Sequence, residues 1–519
     1  AGELLAMRFN SHEFIFVFPP ATWAIWLGRH LAGGARWGAA WLILASLVFY
    51  SWWDWHYTPL LAVSLLFNFA VGRRLVRTRP NRSRHAWLVA GLVWNLGALG
   101  YFKYWNFFVE NVDARFPAAL PLAHVILPLG ISFFTFQKIA FLVDAWRGEV
   151  SEVHLRDFSL FVLFFPQLIA GPIVHHRDFI PQVRDARAWR LTGRQLALGL
   201  TVFIAGLFQK CVVADTLAPM ADTAFGLAAN GATLRMQEAW TGLAAYALQL
   251  LYDFSGYSHM ALGLALLFGL RLPINFLAPY TSRSLVEFWH RWHITLSTFL
   301  RDYVYIPLGG NRCGWLRHLW NLFFTLVLGG LWHGAGWTFI LWGAWHGAAL
   351  AVNHLWRNRH PAVASPPAGG RRRVAHAGVL LVVGLGWVLF RAADLTAARA
   401  MAASLLGLNG ISVPVAWMSL VRPLAPVVRP RGLFPNITAT PAMLALLVAA
   451  GALACRGPRL LRWLGVTPAD VTGGAKWQAA ELAPPDTRLD GLRAVAAGVM
   501  FALALAGLAQ SSPFLYFQF

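Results

Sequence analysis

Apolar runs long enough to cross a bilayer recur along this chain, and short arginine-rich stretches separate them. A hydrocarbon core about 30 Å thick needs roughly 20 apolar residues in a helix. Inside it every backbone polar group must be bonded internally, so a run of that length spans as a helix. Of the 519 residues 58% are hydrophobic and 13% charged, and the mean hydropathy is +0.53. Soluble domains carry about 25% charged residues. The fold class that follows is an all-α polytopic membrane protein.

The net charge of +21 invites a nucleic-acid reading, but the arginines sit in short loops between apolar runs. That is the positive-inside pattern of a protein among membrane lipids, and with no basic soluble domain, nucleic acid is not an expected partner. Cys211, Cys313 and Cys455 have neither metal nor disulfide spacing. Residues 1–6 read either as an upstream extension or as a non-native addition, with no cleavable signal peptide visible, so the first apolar run is expected to stay in the membrane.

In chain order, a run over 14–27 is interrupted by Pro19-Pro20, and runs over 37–53 and 59–71 follow. The densest basic loop, Arg73 to Arg84, is expected in the cytoplasm, which puts the N-terminus outside. A span over 86–101 leads to a run containing Leu127-Pro128-Leu129-Gly130-Ile131-Ser132, whose small and polar residues predict an internal, close-packed helix. Further runs cover 158–173, 196–213 and 240–270, the last too long for one plain span. A basic Pro/Gly-rich linker, 357–375, precedes spans at 379–390, 443–454 and 494–508. Three crossings from that linker place the tail outside. No internal repeat signals a transporter's duplicated halves.

Chemistry concentrates in Leu285 to Gly347. It contains Phe288-Trp289-His290-Arg291-Trp292-His293, the polar, Pro-broken passage Arg301 to Arg312, and Trp332-His333-Gly334-Ala335-Gly336 inside an apolar run. Polar groups at membrane depth are costly and mark function by default. On residues alone, His333 is either a core histidine or a general base, and His293 either a working group or the cap of a re-entrant helix. His290 and His293 have helical metal-ligand spacing, yet no Cys or carboxylate completes a zinc set, so no metal is expected. His346 reads as structural. Asp253, in Tyr252-Asp253-Phe254-Ser255-Gly256-Tyr257, either lines a cavity or pairs structurally.

These motifs, with Tyr101-Phe102-Lys103-Tyr104, Ala170-Gly171-Pro172-Ile173 and Asn275-Phe276…Pro279-Tyr280, resemble the membrane-bound O-acyltransferase family, in its bacterial alginate O-acetyltransferase branch. The likeness runs along most of the chain. It implies a many-helix bundle with re-entrant segments around a through-membrane cavity. It divides the chain into an acyltransferase core (1–356, catalytic stretch 285–347), the cytoplasmic linker, and C-terminal helices with an extracytoplasmic tail (376–519).

The resemblance also assigns roles. His333 falls on the family's catalytic histidine and His293 on its partner position. Asp253, Tyr257, His290 and Trp332 become candidates for lining the cavity, while His290 and His259 depart from the Arg and Asp usual in this branch. No bound cofactor is implied. Acetyl-CoA or another acyl thioester is the donor, a polysaccharide the acceptor, and an extracytoplasmic SGNH-type acyltransferase or esterase the partner, at the bacterial inner membrane. The alternative is a membrane transporter or exopolysaccharide export subunit. Imidazole, with an ordinary pKa near 6.5, suits a base that takes a hydroxyl proton, and Gly334 and Gly336 are expected to leave room for substrate beside His333. The tail Phe514-Leu515-Tyr516-Phe517-Gln518-Phe519 is similar to the C-terminal motif of the companion peptide in the D-alanyl teichoic-acid system. Tyr516 is then either an acyl relay or an aromatic anchor at the membrane surface.

Overall fold

The structure is a computed structural model that describes residues 8–33, 35–116, 125–169, 171–185, 189, 192–359, 369–413, 428–430, 441–464, 490–510, 512, 514 and 515. The chain divides into two compact units. Residues 1–208, 256–275 and 461–509 form the first, and residues 209–255, 276–460 and 510–519 the second. Among the described residues, Trp37–Arg77, Gly193–Ala229 and Gly370–Arg391 are long and apolar enough to cross a membrane, and Met443–Arg456 and Gly491–Gly507 are shorter apolar helices.

In the first unit the opening apolar run forms two helices, His12–Phe16 and Phe18–Gly33. The break falls at Val17 and not at the prolines. Pro19 and Pro20 occupy the first turn of the second helix, where the missing N–H has no helical acceptor to lose. Ala35–Asp54 packs back on Phe18–Gly33. The arginines of 73–84 lie mostly inside helices: Arg73, Arg74 and Arg77 end Thr58–Arg77, and Arg82 and Arg84 begin Arg82–Leu99. Cations complement the negative end of a helix dipole, and Asn81 Oδ1 caps the next helix by accepting from Arg84 N at 2.9 Å.

Ile131–Arg147 packs against both Thr58–Arg77 and Arg82–Leu99, and every residue from Ile131 to Leu142 is buried. This is the internal helix that its composition predicts. Its buried Lys138 donates to Ser64 Oγ at 2.5 Å and lies 4.3 Å from the Phe134 ring centre. Nearby, the buried amides of Asn68 and Asn95 bond each other. The run 158–173 is not one helix. Leu155–Leu163 ends where Phe164 turns to φ −48°, ψ 107°, and a single turn, Phe165–Leu168, follows.

The run over 240–270 proves to be one helix, Met236–Leu267, of 32 residues, about 48 Å at 1.5 Å per residue and so longer than a hydrocarbon core is thick. Its residues up to Ser255 belong to the second unit. That unit is built on a hairpin of Trp315–His333 and Trp337–Arg359, along which Gly369–Arg391 packs. Side chains at Gly330 or Gly343 would strike the facing backbone, so small residues set how closely the hairpin closes. Arg371 to Arg373 lie in the first turns of Gly369–Arg391 and not in a linker; no proline follows Pro367 in that stretch, and the two glycines fall in the first turn. The irregular passage after Leu300 is a π-helical turn, Arg301–Tyr305, followed by tight turns. Ile411–Val413 and Val428–Pro430 pair as two parallel three-residue strands, a detail that leaves the class all-α.

Candidate active site

Local sequence dictates how the two histidines are presented, both within the second unit. Ser284 starts the short helix Leu285–Trp289, its Oγ accepting from Glu287 N at 3.1 Å. The helix ends at His290, and the chain turns before Ile294–Leu300 begins. That turn holds His293 at φ 42°, ψ 54°, a left-handed conformation that costs a residue with a Cβ about 1–2 kcal/mol. Such strain persists where surrounding structure over-determines it, and it clusters at functional sites. His293 occupies the N-cap position, yet its side chain makes no capping hydrogen bond. Instead the imidazole meets the Phe254 ring edge to face, with centroids 4.7 Å apart at 86°.

His333 is the last residue of Trp315–His333. Trp332, Trp342 and Phe390 surround its ring at 5.0, 5.1 and 5.1 Å. The His293 and His333 centroids lie 6.3 Å apart at 59°, with the two residues 1% and 4% exposed. Trp332 touches both, its ring 5.9 Å from that of His293. At this separation ring nitrogens of both residues can reach one small reacting group with hydrogen bonds of about 3 Å. One imidazole can take a proton while the other stabilises charge.

Gly334 does not leave room for substrate. A Cβ there would run into the Phe339 ring, which packs on Phe390 at 5.2 Å, and Phe390 in turn packs on His333. The glycine makes space for an aromatic buttress. At Gly336 the nearest side-chain atoms, of Phe339 and Thr338, stand at ordinary contact distance from a Cβ position.

The other candidates separate. Trp332 belongs to the pair. His290 is exposed at the end of the short helix. Tyr257 belongs to the first unit, where its ring stacks on Phe9 at 4.5 Å and 11°. His346 is buried between Trp289 and Trp342, at 5.3 and 5.0 Å, in keeping with a structural role. Asp253 is paired: its Oδ1 lies 2.6 Å from Lys210 Nζ, with both side chains 1% exposed. Tyr516 lies outside the described residues. Phe514 and Leu515 do not: Phe514 packs its ring 5.8 Å from Phe254, and Leu515 N donates to Asp253 Oδ2 at 3.0 Å.

Sequence reasoning missed Phe254, Trp342 and Phe390, aromatic residues indistinguishable from ordinary core. It also missed Lys210 and Asp215, which an intramembrane aspartate in need of a cation does point to. Among the described residues no three His, Cys, Asp or Glu side chains converge to hold a metal ion.

Residues 120–383 match the MBOAT, membrane-bound O-acyltransferase family. The chain is 41% identical over 441 residues to the peptidoglycan O-acetyltransferase of Helicobacter pylori, covering 79% of this chain and 82% of that protein. It is 42% identical over 405 residues to the Pseudomonas aeruginosa protein named "Probable alginate O-acetylase AlgI", covering 76% and 74%. To the teichoic acid D-alanyltransferase of Streptococcus thermophilus it is 29% identical over 249 residues, 45% of this chain and 59% of that one.

Proposed function

Because the chain belongs to the membrane-bound O-acyltransferase family, we propose that it moves an acetyl group from a cytoplasmic thioester to hydroxyls of an extracytoplasmic polysaccharide. The protein is a membrane O-acyltransferase. The donor in this reading is acetyl-CoA or another acyl thioester, the location the bacterial inner membrane, and the last acceptor step falls to an extracytoplasmic SGNH-type partner. The transporter or exporter alternative gives way, since the relatives carry the names of transferases.

The observation that carries the reading is the pair of buried imidazoles 6.3 Å apart beside Trp332. His333 takes the proton of the attacking hydroxyl as its oxygen forms a bond to the thioester carbonyl carbon. His293 stabilises the oxyanion of the tetrahedral intermediate. Collapse of that intermediate breaks the C–S bond, and the thiolate leaves with the proton from His333. Tyr516 supplies the first attacking hydroxyl, and the acyl-tyrosine then hands its group to the partner, splitting one hard step into two. The placement of Leu515 on Asp253 and of Phe514 on Phe254, whose ring also touches His293, supports a tail seated at this site.

The test is purified protein with labelled acetyl-CoA. Label should pass to the protein or be released by hydrolysis, and both should vanish in His333→Ala. Unchanged turnover in His333→Ala would remove it as the base.

A further inference from the structure

Lys210 sits on a π-helical turn, Gln209–Ala214. In a π-helix the i and i+5 residues bond, which brings Lys210 over Asp215. Its Nζ lies 2.7 Å from Asp215 Oδ1 and 2.6 Å from Asp253 Oδ1, and the three side chains are almost wholly buried. Two carboxylates therefore share one ammonium. Burying charge in that ratio is costly unless further donors cover the remaining oxygens.

The C-terminal segment brings two donors. Ser512 Oγ lies 2.6 Å from Asp215 Oδ1 and donates to it, and it accepts from Lys210 Nζ at 3.1 Å. Leu515 N donates to Asp253 Oδ2 at 3.0 Å. Asp215 Oδ2 has no hydrogen-bond partner among the described residues. The ionic group is thus bonded to residues 262 to 302 positions further along the chain.

We infer that the Asp215–Lys210–Asp253 cluster is a seat for the C-terminal segment, and that Asp253 and Asp215 are positioning residues for whatever the tail presents to His293. Ser512 and Leu515 donate to one oxygen each of Asp215 and Asp253, which eases a charge that would otherwise be less satisfied. The seat in turn fixes Phe514 against Phe254, the residue whose ring meets His293. Only the consequence for transfer rests on Tyr516 as acyl carrier; the seat itself does not.

The experiment is a double-mutant cycle in the full chain, read as thermal unfolding in detergent together with acetylation of polymer in cells. One arm is Asp253→Asn. The other is Ser512→Ala combined with Leu515→Pro, which removes both tail donors, since proline has no N–H. With the natural tail, Asp253→Asn should lower the melting temperature and slow acetylation about tenfold, as expected for loss of a buried charged hydrogen bond. With the altered tail it should no longer lower the melting temperature, because neutralising a carboxylate then relieves an uncovered charge. An equal drop with both tails would make Asp253 merely structural and end the proposal. If Asp253→Asn does not accumulate, Asp215→Asn replaces it with the same expected sign. Coupling in the cycle alongside a fully active Tyr516→Phe keeps the seat and removes the relay. No coupling alongside an inactive Tyr516→Phe does the reverse.

Discussion

The ring of Phe339 fills the space that a side chain at Gly334 would need. Gly334 has an extended backbone, φ −158°, that suits any residue, so the demand for glycine there is steric. Gly334→Ala should push Phe339 against Phe390 and so shift His333. Overpacking of this kind costs about 1–3 kcal/mol. A lower melting temperature in detergent with reduced acyl transfer is expected, and Phe339→Ala in the same chain should recover much of the lost stability. Independent, additive effects of the two substitutions would rule out the buttress.

His333→Ala should abolish polymer acylation in cells while the protein still accumulates in the membrane. Loss of a general base costs about 10²–10⁴-fold. Labelled acetyl transfer by purified protein, normalised to protein amount, is the measurement.

His293 allows its chemistry to be separated from its backbone. Its left-handed conformation strains alanine as much as histidine and suits glycine. His293→Gly should therefore unfold at a higher temperature than His293→Ala, by the equivalent of about 1 kcal/mol, while both lose acyl transfer to a similar degree. Wild-type transfer by either would return His293 to a purely structural role.

Tyr516→Phe keeps the ring and removes only the nucleophilic oxygen. A relay should lose acylation of the polymer outright, with no covalently labelled protein after incubation with labelled donor. An aromatic anchor should tolerate the change, and full acylation by Tyr516→Phe would end the relay.

The sequence by itself determined the class, the membrane location and which two histidines are candidates as a pair. Twenty-residue apolar runs have one stable form in lipid, and a histidine inside one is a candidate for function, although on residues alone a core role is equally open for His333. It also determined that Ile131–Arg147 is internal, because its small and polar residues suit close helix contact. Only the tertiary structure decided which groups meet. That Gly334 serves Phe339 and not a substrate depends on where the second arm of the hairpin returns, and no local pattern encodes that. That Tyr257 stacks on Phe9 in one unit while Asp253, four residues earlier on the same helix and so on the same face, pairs with Lys210 in the other depends on what packs at each level of the helix. The seat of Asp253, Lys210 and Asp215 beneath Ser512 and Leu515 joins residues far apart in the chain. Charge balance in a buried site selects such partners by proximity in space, and proximity in space is what a linear sequence leaves open.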